Sequence, residues 1–65
     1  MEVTMKFSAY CNVDIALKVF EQRHGKRPAV IRMPPTCWQR AGSPKELRGI
    51  PVEVLAEGRM IVMEA

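Results

Sequence analysis

The chain has 65 residues, 48% of them hydrophobic and 26% charged. That fits one small folded domain and excludes a disordered chain. It carries a net charge of +3 and only two cysteines, Cys11 and Cys37, with no CxxC pair, which excludes a disulfide framework. A core of this size stabilises by only a few kcal/mol, so the expectation is a protein partner or self-association, with a homo-oligomer among the outcomes.

The first stretch, residues 2–10, alternates. Val3, Met5, Phe7 and Ala9 share one face, and Glu2, Thr4, Lys6, Ser8 and Tyr10 the other. This is the period of a half-buried strand. The same alternation, with Glu2 early, lacks the apolar run of an export signal. No stretch approaches the ~18 apolar residues of a membrane span. The expectation is a cytoplasmic protein with reduced thiols and no membrane partner.

Asn12 then offers an N-cap and Asp14 an acidic first turn. Val13, Ala16, Leu17 and Phe20 repeat at helical spacing, with Ile15 and Val19 widening the stripe. Gly25 supplies a left-handed C-cap and Pro28 blocks continuation, which predicts a helix over 13–24. "AVIRM", residues 29–33, is a short strand stopped by Pro34 and Pro35.

"PPTCWQRAGSPKELRG" contains two helix-start signatures. Thr36 with Gln39 fits one capping box. Ser43 with Glu46 fits another, with Pro44 at the first helical position. Gly42 and Gly49 close each, so the expectation is two short helical turns or one broken helix. "IPVEVL", residues 50–55, and "RMIVME", residues 59–64, read as strands. The Ala56-Glu57-Gly58 connection predicts an antiparallel hairpin between them. The fold class is therefore α+β, in the order β-α-β-(short helical segment)-β-β. One mixed sheet has the main helix packed on one face and a C-terminal β-hairpin.

Charge is unevenly spread. Residues 18–48 hold eight cations against two glutamates, net +6, and the remainder is net −3. Arg23, Lys26, Arg27, Arg32, Arg40 and Arg48 are the candidate anion-binding or nucleic-acid-binding residues. A second reading needs no ligand: cations at a helix C-terminus offset the dipole. Trp38, beside Arg40, either stacks on a base or anchors the irregular segment to the sheet. His24 lies one turn after Phe20, where it extends the apolar stripe.

No chemistry assembles from the other reactive groups. Cys11, His24 and Cys37 are too few and too widely spaced for a structural zinc site. Nothing in the sequence places either thiol beside His24 with an orienting acid. There is no phosphate-binding glycine loop. The expectation is a non-enzymatic domain without cofactor or metal. Met5, Met33, Met60 and Met63 are assigned to the core.

The succession "HGKRP", "VIRMPP", "GIPVEV" and "GRMIVM" resembles small uncharacterised phage and prophage proteins over about residues 17–63. The "GIPV" strand is also similar to parts of phage capsid and head-assembly proteins. The resemblance implies a viral accessory or structural protein acting through protein–protein contacts, with no site residues to transfer. An accessory nucleic-acid-binding protein using a basic surface from residues 23–48 is the alternative.

Overall fold

The computed structural model describes residues 4–8 and 12–65. Strand β1 (Thr4–Ser8) leads to helix α1 (Val13–His24) and strand β2 (Val30–Met33). Then come the short helix α2 (Pro35–Arg40), the two-residue strand β3 (Glu46–Leu47), β4 (Ile50–Val54) and β5 (Met60–Glu64). The protein is α+β, with five strands in one mixed sheet, in the order β1-β5-β2-β4-β3.

Helix α1 has the predicted limits, for the predicted reasons. The Asn12 side chain accepts from the Asp14 N–H at 2.8 Å. Gly25, at φ 66°, closes the other end by donating to the Glu21 carbonyl. Ala16, Leu17 and Phe20 are buried. They pack with Ile31 and Met33 of β2, Cys37 of α2, Ile50 of β4, and Ile61 and Met63 of β5. Met5 and Phe7 lie against this cluster from β1, as alternation requires. Ile15 does not widen the buried stripe: it is 58% exposed. Val3, Ala9, Tyr10 and Cys11 lie outside the described residues.

The predicted C-terminal hairpin is not formed. Strand β2 lies between β4 and β5, parallel to the first (Ile31 opposite Val52) and antiparallel to the second (Ile31 opposite Met63). Burial decides this. Ile31, Met33, Ile61 and Met63 are completely enclosed. Placing β2 beside β5 puts these four side chains in adjacent rows under α1, where each gains most from leaving water. Pro34 and Pro35 turn the chain away at the end of β2. That clears the path for residues 55–59 to cross from β4 to β5, and the Leu55 N–H still bonds the Met33 carbonyl at 2.9 Å. The glycine-containing connection is real, but it spans a strand.

Both capping boxes fail as well. Helix α2 starts two residues earlier than expected, with Pro34 as a cap lacking a side-chain bond and Pro35 in the first turn. The Ser43–Glu46 segment is not helical. Ser43 has φ 54° and donates its N–H to the Trp38 carbonyl, which ends α2. Glu46 and Leu47 pair antiparallel with β4. A two-residue turn joins them, with Arg48 at φ 51° and Gly49 at φ 80° between Leu47 and Ile50. Positive φ at both central residues defines the type I′ turn that suits strand twist.

Candidate functional site

Both helices bury their side chains against one face of the sheet, so the other face is the larger exposed feature. Register lays out its rows. Lys6, Val62, Arg32 and Glu53 form one row across β1, β5, β2 and β4. Thr4, Glu64 and Val30 form the next. Met60, opposite Ser8, continues the face and is 42% exposed, not core as the sequence suggested. Val30 and Val62 are half-buried by their neighbours alone.

Arg32 organises this face. Its Nε donates to Glu53 Oε2 at 2.9 Å and its Nη1 contacts Glu64 Oε1 at 2.5 Å. Hydrogen bonds that the guanidinium donates to the Glu64 and then the Glu53 carboxylate raise its pKa above the ordinary value. Both forks of Arg32 are thus occupied within its own chain, which weakens it as a phosphate ligand.

The other predicted cations are distributed differently. The Arg27 guanidinium donates to the Arg48 carbonyl, and Arg48 reaches Asp14 Oδ1 at 3.2 Å. The structure therefore brings Arg27 and Arg48 together as a tie between the loop after α1 and the β3–β4 turn. Arg23 and Lys26 are exposed near the end of α1 and have no carboxylate within ion-pair distance among the described residues. Arg40, in the last turn of α2, lines an open pocket of about 750 Å³ together with Arg59.

Arg59 was not singled out in the sequence because it stands outside the basic middle, at the start of the stretch read as the last strand. Its significance comes from the 55–59 crossing, which no local pattern encodes. Trp38 proves to be an anchor: it packs on the core and its Nε1–H donates to the Pro44 carbonyl at 2.8 Å.

His24 tilts against Phe20 with ring centroids 4.9 Å apart, and its Nε2 is buried without a hydrogen-bond partner among the described residues. The Cys37 side chain is buried. Among the described residues no group of three or more His, Cys, Asp or Glu side chains is placed to hold a metal. Among the described residues no helix is long and apolar enough to cross a membrane. Comparison with protein-family models, curated proteins and solved structures gave no match to this chain.

Proposed function

We propose that the protein is a non-enzymatic assembly domain that pairs with a second copy of itself through the uncovered face of its sheet. The observation carrying this reading is the Lys6–Val62–Arg32–Glu53 row. A two-fold axis along the strands, between β5 and β2, lays β1 of one copy over β4 of the other. Lys6 then faces the second copy's Glu53, and the reverse contact follows by symmetry. Val30 and Val62 come to the centre, and Arg32 enters already neutralised by its two glutamates. Sheets packed this way stand ~10 Å apart with their strands roughly aligned.

The face is small. Four strands ~4.8 Å apart and about five residues of ~3.4 Å give a projected area of roughly 300 Å². Counted over both copies that is roughly 600 Å², below the range of standard specific interfaces, so the dimer is a weak and transient one. Sedimentation velocity across a concentration series tests the reading. The wild type should shift from monomer to dimer, and Val62→Arg should stay monomeric with unchanged circular dichroism. A wild type that remains monomeric at every concentration rejects it.

A second reading, an accessory nucleic-acid binder, is favoured by Arg23 and Lys26, which are exposed and free of carboxylates among the described residues. Replacing both with Ala should weaken binding to any duplex alike and lower the salt slope by about two. Unchanged affinity removes this reading.

A further inference from the structure

Beyond self-association, we infer that the pocket between α2 and the 55–59 crossing binds a small organic anion: a phosphoryl or carboxylate head on an apolar body. The pocket measures about 750 Å³, within the range of small-molecule sites. It lies at the carboxyl ends of β1 and β2, where the chain leaves β2 for α2 and crosses from β4 to β5. Open sheets bind ligands at such ends, where neighbouring connections diverge and leave a crevice.

Its lining has a definite chemistry. Among the described residues Arg40 and Arg59 are its charged members, and no carboxylate lines it. Neither guanidinium has an ion-pair partner among the described residues, whereas Arg32 and Arg48 both do. Two unpartnered guanidinium groups on one pocket favour an oxyanion with several acceptor oxygens, which each can bind in fork geometry. Thr36 adds a hydroxyl to the lining. Pro34, Pro35 and Met60 supply apolar wall, which a bare inorganic ion leaves unused.

The probe is phenyl phosphate, with inorganic phosphate and phenol as probes of each half, followed by calorimetry and by the fluorescence of Trp38, the chain's single tryptophan, which neighbours the lining residue Cys37. Phenyl phosphate should saturate one site per chain and bind more tightly than either half. Arg40→Ala and Arg59→Ala should each weaken it about tenfold, the worth of one charged hydrogen-bonding partner. Both side chains are exposed, so both variants should keep the wild-type melting temperature. Arg23→Ala, outside the pocket, should bind as the wild type does. Absence of binding at millimolar probe, equal binding of phosphate and phenyl phosphate, or an equal loss in Arg23→Ala each overturns the assignment. Ser8 and Met60 also border the open face of the sheet, so binding is measured on the Val62→Arg chain as well, where these outcomes are read without dimerisation.

Discussion

Lys6 and Glu53 stand at the two ends of one row across the open face of the sheet, with Val62 and Arg32 between them. The row is positive at the β1 end and negative at the β4 end. Such a pattern repels a copy laid with β1 over β1, as a two-fold axis across the strands places it, and accepts one turned about a two-fold axis along the strands. The charge order along four strands thus defines which pairing geometry the face favours.

Arg32 holds this order in place. Arg32→Ala would leave Glu53 and Glu64 without the cation that now lies between them. The Arg32 side chain is about a third exposed, so solvent screens the loss, and we expect a small drop in the urea-unfolding midpoint. Its folded-state pKa is raised, so its contribution is fully present below the unfolded value and fades only as pH rises through the folded one. The difference between wild type and variant should therefore not change from neutral to mildly alkaline pH through titration of Arg32. A difference that disappears over that interval would mean that another group is responsible.

The Arg48–Gly49 turn stores removable strain. Arg48 adopts φ 51°, a left-handed conformation that most side chains disfavour and Asn tolerates. Arg48→Asn keeps the carbonyl that accepts from Arg27 and gives up only an exposed ion pair with Asp14. We expect a gain of about 0.5 kcal/mol, read as a higher melting temperature. A loss of 1 kcal/mol or more would show that the Arg48–Asp14 pair outweighs the backbone preference.

His24 buries a nitrogen that finds no partner among the described residues, beside the Phe20 ring. Leaving a polar atom dry costs about 1–3 kcal/mol, and an apolar replacement of similar size escapes that cost. His24→Leu should be neutral or stabilising, by up to about 1 kcal/mol in chemical denaturation. Marked destabilisation would indicate that the imidazole has a contact beyond those described.

Local chemistry was legible in the sequence and long-range order was not. Asn12, Asp14 and Gly25 announce both ends of α1, because caps act within a few residues of the atoms they satisfy. The alternation of Met5 and Phe7 announces a strand for the same reason. The insertion of β2 between β4 and β5 depends on which four side chains bury best together, and Gly58 fits a hairpin equally well. The Ser43–Glu46 pattern misleads because Trp38 competes for the same segment, taking the Ser43 N–H on its carbonyl and the Pro44 carbonyl on its indole. At the candidate site, charge content was readable but pairing was not. Arg32 and Arg48 are occupied by acids, whereas Arg59 joins Arg40 only through the chain crossing.

The central claim is best tested by reversing charges in two separately purified chains, Lys6→Glu and Glu53→Lys, and measuring mass by light scattering alone and after mixing. Each variant alone sets like charges against each other at both rims and should run as a monomer. The equimolar mixture restores an opposite pair at both rims and should run as a dimer. If both variants dimerise as well as the wild type, or if the mixture remains monomeric while the wild type dimerises, the two-fold pairing of this face is wrong.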